Sequence, residues 1–288
     1  MSYYTQLGLA KEPFSSNPDP SFFYQSQTHR SALTKLEISI RLKRGLNLVL
    51  GDVGTGKTTL ARTLLREFNE SEPFDFYMIF DPGFQTDYQF LTALLDLFKI
   101  GTPARRMMDC KRMIQNFLFE KNLVSGRSVV LIIDEAQKLN ASLLEILRIF
   151  LNYETNDTKL IQVVLFSQLE ILPRILGQKN LMDRISFRYR LQPLSPNEIH
   201  EMVNFRLRQA GWTKTDTLFS AGAIQQIYQH SLGSLRKGTQ LCHRALLAMV
   251  MKGLPYIDDS LINEITLEDE VFDDECRAYA GRETAQNH

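Results

Sequence analysis

A chain of 288 residues with 44% hydrophobic content can bury a core as one large domain or two modest ones, which argues against a globally disordered polypeptide. Its 33 basic and 33 acidic residues cancel to zero net charge, which argues against nucleic-acid binding driven by bulk charge. Cys110, Cys242 and Cys276 stand singly and, with the five histidines, show no metal-ligand spacing, so the chain reads as reducing and cytoplasmic, with no disulfide framework.

At the amino terminus no basic stretch precedes an apolar one, so no secretory leader is read there, and no apolar run approaches the ~20 residues that span a bilayer. Residues 1–27 are rich in turns and rings: Pro13-Phe14, Asn17-Pro18-Asp19-Pro20 and Phe22-Phe23-Tyr24. A disordered tail rarely holds so many aromatics, so an ordered arm is expected. Leu33, Leu36 and Ile40 recur at helical spacing and predict a helix over 28–44. Arm and helix together, residues 1–44, are read as packing on the domain that follows.

That domain, 45–193, opens on Leu46–Leu50, a short apolar run that predicts a buried strand. The next eight residues are Gly51-Asp52-Val53-Gly54-Thr55-Gly56-Lys57-Thr58, which match the phosphate-binding P-loop G-x-x-x-x-G-K-[ST]. From Thr59 helical periodicity takes over. Further strands are predicted at Asp75–Phe80, Ser128–Ile133, Leu160–Phe166 and Phe187–Leu191, with helices near 57–69, 87–99, 105–121, 141–153 and 168–184. This alternation predicts an α/β fold, a P-loop NTPase with a five-stranded parallel sheet covered on both faces. After Pro193 the pattern turns helical, near 195–210, 218–230, 234–252 and 258–265, which predicts a small all-helical lid domain over 194–268. Ser195-Pro196-Asn197-Glu198 is a strong helix start. Residues 269–288 read as an acidic, flexible tail.

The chemistry follows from residue type and place. Glycines let the loop backbone turn its N–H groups onto an anion, and the following helix adds the positive end of its dipole. Lys57 supplies a mobile cation for the β- and γ-phosphates, and the Thr58 hydroxyl a magnesium ligand. Gly51 through Thr59 are therefore the expected ATP-binding residues. Val129-Val130-Leu131-Ile132-Ile133 ends in Asp134-Glu135, the pattern of a Walker B strand. Asp134 is placed to hold Mg2+ and Glu135 to polarise an attacking water. Polar Ser167 and Gln168 close the fourth strand, where a side chain can sense the γ-phosphate; Gln168 is preferred, although both are common turn residues. Arg184 precedes the fifth strand and is the preferred arginine finger, ahead of Arg188. Arg236, opening a helix of the lid, can reach back to the phosphates.

Together these residues resemble the AAA+ superfamily and, within it, the general secretion pathway A (ExeA-type) ATPases, over about residues 3–268. The resemblance includes Leu7-Gly8-Leu9, Pro13-Phe14, Pro18-Asp19-Pro20 and His29 in the arm and first helix. It continues through Ile133-Asp134-Glu135-Ala136-Gln137, Leu144 to Arg148, and Asn152-Tyr153-Glu154-Thr155. It ends with Arg184-Ile185, Gly233 with Arg236, and Leu241-Cys242. It implies an ATPase that assembles as a homo-oligomeric ring and serves assembly of a type II secretion or type IV pilus system; the chain itself is expected to be cytoplasmic, with attachment at the inner membrane through a partner. By the same resemblance Arg184 is the finger and Arg236 a second sensor. Two departures stand out. Ser167-Gln168-Leu169-Glu170 replaces a common Gly-Gln-Pro-Glu turn, and family members continue into a transmembrane helix and a peptidoglycan-binding domain beyond the region shared here. Two other readings compete. One is a DNA-binding regulator resembling the TniB/TnsC transposition ATPases, with basic clusters at Arg41, Lys43, Arg44 and at Arg105, Arg106, Lys111, Arg112. Those clusters read more simply as solvated helix faces, so nucleic acid is not favoured as a partner. The other is a nucleotide switch with little hydrolysis.

Overall fold

The computed structural model describes residues 2–269 except 16, 18, 69, 155–157 and 215–216. The expected acidic tail from residue 270 onward, Cys276, and the resemblance positions Pro18 and Thr155 lie outside the described residues. In chain order the elements are α1 (Tyr3–Gln6), α2 (Gln27–Arg41), β1 (Leu46–Leu50), α3 (Lys57–Arg66), β2 (Phe74–Ile79), α4 (Asp87–Leu97) and α5 (Met107–Phe119). They continue with β3 (Ser128–Ile133), α6 (Ala141–Leu151), β4 (Ile161–Ser167), α7 (Leu172–Leu176), α8 (Lys179–Met182) and β5 (Ile185–Arg190). The last helices are α9 (Pro196–Gln209), α10 (Ala221–Ser231), α11 (Leu235–Lys252) and α12 (259–269).

The chain divides into two compact units, Gln27–Gln192 and the described residues of Met1–Ser26 with Pro193–His288. The first is the sheet unit. Its five strands are all parallel in the order β2-β3-β4-β1-β5. The three inner strands are buried along their whole length and mostly apolar, with Asn47, Ser128, Gln162 and Ser167 as buried polar residues, whereas β5 at one edge alternates buried or half-buried residues with exposed ones. On one sheet face Leu48, Leu131, Ile133, Val163 and Leu165 pack with Phe90 and Leu94 of α4, Ile114 of α5 and Leu147 and Phe150 of α6. The opposite face carries Asn47, whose amide oxygen accepts from Ser39 of α2 at 2.5 Å. Leu36 and Ile40 of α2 and Leu60 and Leu64 of α3 are fully buried outside the first cluster and cover this second face. Each such side chain contributes about 1.5–3 kcal/mol by leaving water.

The predicted strands appear at their expected places, with shifted edges. β5 starts at Ile185, two residues before the predicted Phe187. The helix predicted over 168–184 is broken into a 3₁₀ turn at Leu169–Ile171 followed by α7 and α8. Pro173 fits only in the first turn of α7, and Gly177 closes it, so the chain restarts.

The second unit is helical. A capping box starts α9, with Ser195 Oγ accepting from Glu198 N at 3.3 Å and Glu198 Oε2 accepting from Ser195 N at 3.0 Å. The residues predicted to lack strands form one isolated parallel bridge, Phe219 with Ile257. Gly233 joins α10 to α11 at φ +73°, and a Cβ there would lie 2.2 Å from the Leu194 carbonyl oxygen, so no other residue fits. The expected arm of residues 1–44 is divided by the structure. Its first 26 residues join the helical unit instead of the sheet domain, for a visible reason. Arg206 of α9 donates to the carbonyls of Pro13 and Ser15 at 3.3 Å each. The Phe14 and Phe219 rings meet edge to face at 5.8 Å, and Tyr24 Oη donates to Glu201 Oε2 at 2.5 Å. Only α2, from Gln27, stays with the sheet.

Candidate functional site

The P-loop leaves the carboxyl end of β1, and the end of a parallel strand is where α/β sheets place ligands. Gly54 and Gly56 sit at φ +80° and +91°, a backbone region closed to most side chains, and they curl the loop so that α3 begins at Lys57. The Thr55 hydroxyl donates to the Asp52 carbonyl at 2.8 Å. The Thr55 carbonyl in turn lies 2.7 Å from Nε2 of His29, a buried residue of α2. Lys57 is only 5% exposed. Its ammonium donates to the carbonyls of Gly51 and Asp52 at 2.8 and 2.9 Å. Burial holds this ammonium below the usual lysine range, opposed by the charges of Glu135, Asp134 and Asp52. Asp52 and Val53 form the exposed crown of the loop, with Asp52 Oδ2 3.9 Å from Arg190 of β5. Thr59 lies half-buried in the first turn of α3.

Asp134 follows β3 directly and is buried. The Thr58 hydroxyl donates to its Oδ2 at 2.5 Å, and the Glu135 N–H donates to its Oδ1 at 3.0 Å. Burial pushes the Asp134 carboxyl above the usual carboxylate range, against the pull of those two donors. A hydroxyl and a carboxylate in contact, both hard oxygen donors, suit Mg2+. The ion typically takes one or two protein oxygens and completes its shell with phosphate and water. Among the described residues no group of three or more His, Cys, Asp or Glu is arranged to hold a metal by itself.

Glu135 adopts a left-handed backbone, φ +52°, at the turn that leaves β3. Its Oε2 accepts from Gln137 Nε2 at 2.6 Å. Gln137 also reaches the end of β4, where its Oε1 accepts from Gln168 N at 3.1 Å and lies 3.3 Å from Ser167 Oγ. Ser167 is buried and Gln168 half-buried. Thus Lys57, Thr58, Asp134, Glu135 and the Ser167–Gln168 peptide come together across the ends of β1, β3 and β4. Sequence reasoning did not single out Gln137 or His29 as site residues. Both stand among the positions of the family resemblance, which gave a signal without a role; nothing in the sequence near His29 points to Thr55, 26 residues away.

The remaining candidates lie apart. Arg184 joins α8 to β5 and, with Arg148, Asn180 and Asp183, lines a hollow of about 260 Å3. Arg188, the alternative finger, is exposed on β5 and donates to the Met182 carbonyl at 3.2 Å. Arg236 is an exposed residue in the first turn of α11, in the helical unit, after the Ser234 cap. No helix among the described residues is long and apolar enough to cross a membrane.

Comparison with known proteins adds three findings. A family model described as an AAA domain matches residues 40–175. General secretion pathway protein A of Aeromonas hydrophila is 37% identical over 258 residues, a match covering 87% of this chain and 45% of that protein. The chain therefore spans less than half the length of that relative. Among solved structures, the ORC2 protein of Aeropyrum pernix in ADPNP–ADP complexes aligns with a TM-score of 0.64 at 16% identity, over 90% of this chain and 72% of that one. The Cdc6p protein of Pyrobaculum aerophilum gives 0.62 at 19% identity, over 85% and 67%. The Thermotoga maritima RuvB branch-migration motor gives 0.54 at 17%, over 85% and 72%. At these identities the structural likeness is one of fold.

Proposed function

The chain belongs to the AAA+ ATPases of the general secretion pathway A (ExeA) type, and from that premise we propose that it binds ATP with Mg2+ and hydrolyses it within a homo-oligomer. The observation that carries this reading is the 2.5 Å contact of Thr58 with Asp134, beside Lys57 and Glu135. The P-loop N–H groups and the α3 dipole take the phosphates, and Lys57 exchanges its two carbonyl partners for phosphate oxygens. Thr58 and Asp134 would hold Mg2+, which would supply positive charge to offset that of the phosphates. Glu135 accepts a proton from the attacking water, and Gln168 faces the γ-phosphate. Arg184, unlike Arg188, has no carbonyl partner on its own chain among the described residues, which supports its reach into a neighbouring subunit's site. Arg236 senses nucleotide state from the helical lid. The secretion role follows the name of the Aeromonas relative and is proposed for the shared region; service to a type IV pilus rests on the family resemblance alone.

The test uses ATP turnover and ATP binding by the purified full chain. Glu135→Gln is expected to lose about 10²–10⁴-fold in turnover while keeping ATP. Arg184→Ala should lose about 10³-fold. Mixing the two inactive variants should then restore activity, because one subunit supplies Glu135 and its neighbour Arg184. Unchanged turnover in Glu135→Gln refutes the hydrolytic assignment, and absence of recovery on mixing places Arg184 in its own subunit's site. Strong stimulation by duplex DNA that fades steeply with salt would transfer the role from secretion to DNA regulation.

A further inference from the structure

Gln137 occupies the second position of a one-turn 3₁₀ helix, Ala136–Lys138, that leaves β3. Its amide has two ends, and the surroundings decide which is which. The Gln168 N–H can only donate, so the amide oxygen must face it, at 3.1 Å. The NH2 group is then committed to Glu135 Oε2, at 2.6 Å. The main chain of the same residue is pinned separately. Arg174 of α7 donates to the Gln137 carbonyl, and to that of Leu139 at 3.2 Å. Arg174 belongs to the helix that directly follows the Ser167–Gln168 segment. A closed circuit results, running from the Glu135 carboxylate through the Gln137 amide to the end of β4, and back through α7 to the Gln137 backbone.

We infer that Gln137 is a positioning residue that ties the Glu135 carboxylate to the Ser167–Gln168 peptide, so that the attitude of Glu135 follows the end of β4. The inference rests on the reading of Glu135 as the group that activates water. A rotating carboxylate would spend much of its time facing away from the water. A carboxylate held by one donor in a fixed frame is oriented before substrate arrives. Any ligand that displaces the Ser167–Gln168 peptide also loosens Glu135, which makes this amide the link between occupancy at β4 and competence at β3.

Two substitutions test it, each in wild-type and Glu135→Gln backgrounds, by single-turnover ATP hydrolysis and by ATP binding. Gln137→Met keeps length and volume but removes all three side-chain hydrogen bonds, to Glu135, Gln168 N–H and Ser167 Oγ. Gln137→Glu keeps an acceptor for Gln168 N–H and replaces the donor to Glu135 with a second carboxylate. Both are expected to lower hydrolysis by about tenfold to a hundredfold, Gln137→Glu the more, with the ATP dissociation constant unchanged within about threefold. In the Glu135→Gln background neither should lower the residual rate further, because the positioned group is already gone. Melting temperatures separate a misfolded variant from an inactive one, and the inference stands or falls on whichever variant folds. Full activity in a folded variant beside an inactive Glu135→Gln overturns it. So does an equal loss in both backgrounds, which would mean that Gln137 acts through some other group. Unchanged hydrolysis in Glu135→Gln alone removes instead the reading on which the inference stands.

Discussion

The turns that follow β1 and β3 lie at the same end of the sheet and solve opposite problems. The first must bring bare backbone N–H groups against phosphate, so it reaches positive φ with Gly54 and Gly56. The second must present a side chain, and there Glu135 itself takes the left-handed conformation at φ +52°. A glycine would relax that turn but carries no carboxylate, so the chain accepts about 1 kcal/mol or more of backbone strain. Each turn is braced by a residue from elsewhere. His29 of α2 holds the Thr55 carbonyl of the first, and Gln137 holds the carboxylate of the second. Positive φ does not by itself mark a site, since Lys43, Lys99 and Leu232 share it; the two turns differ in that one offers main chain to the ligand and the other a side chain.

Three substitutions can break or sharpen that contrast. The largest effect is expected from Gly56→Ala, which forces a Cβ into φ +91° at the base of α3. ATP affinity, measured by titration calorimetry, should fall by about a hundredfold as the loop reopens. Retained affinity would mean that the loop tolerates another path. Next is His29→Leu, which strips the donor from the buried Thr55 carbonyl and should destabilise the sheet unit by about 1–3 kcal/mol in urea unfolding. A change under a few tenths would show that water replaces the ring. The smallest effect on stability is expected from Glu135→Gly: beyond the loss of the proposed water-activating carboxylate, thermal stability should hold or rise by up to about 1 kcal/mol, since the strained position is relieved. A clear drop in melting temperature would contradict the claim of strain at Glu135.

Much of this architecture was legible in the linear chain. β1 and β3 were bounded correctly because Leu46–Leu50 and Ser128–Ile133 are closed by turn residues and polar groups on both sides. Lys57, Thr58, Asp134 and Glu135 could be singled out because spacing alone defines the P-loop and the acidic end of a buried strand, and the structure brings the four together. Edge strands were less sharply drawn: β5 is only half covered, so burial does not mark where it starts. The helix over 168–184 failed for a local reason, since periodicity persists through Pro173 and Gly177 while the backbone cannot. What stayed hidden was tertiary. Nothing near His29 announces Thr55, and nothing near Arg206 announces the carbonyls of Pro13 and Ser15. The sequence favours Arg184 over Arg188, but their surroundings cannot be read there. Only geometry separates the one lining a hollow with Arg148 from the one bonded to Met182.

The helical unit is assembled from both ends of the chain, and that has a consequence for biosynthesis. Phe14, Phe22, Phe23 and Tyr24 are buried there, yet their partners on α9 and beyond are translated more than 170 residues later. At a ribosome's pace of about 5–20 residues per second, those rings wait on the order of ten seconds or more without their final cover. All five strands of the sheet leave the ribosome in that interval. The emerging polypeptide thus has all strands of its sheet unit available before the aromatic residues of 14–24 can be covered, and transiently exposed apolar surface of that kind is prone to aggregate during synthesis.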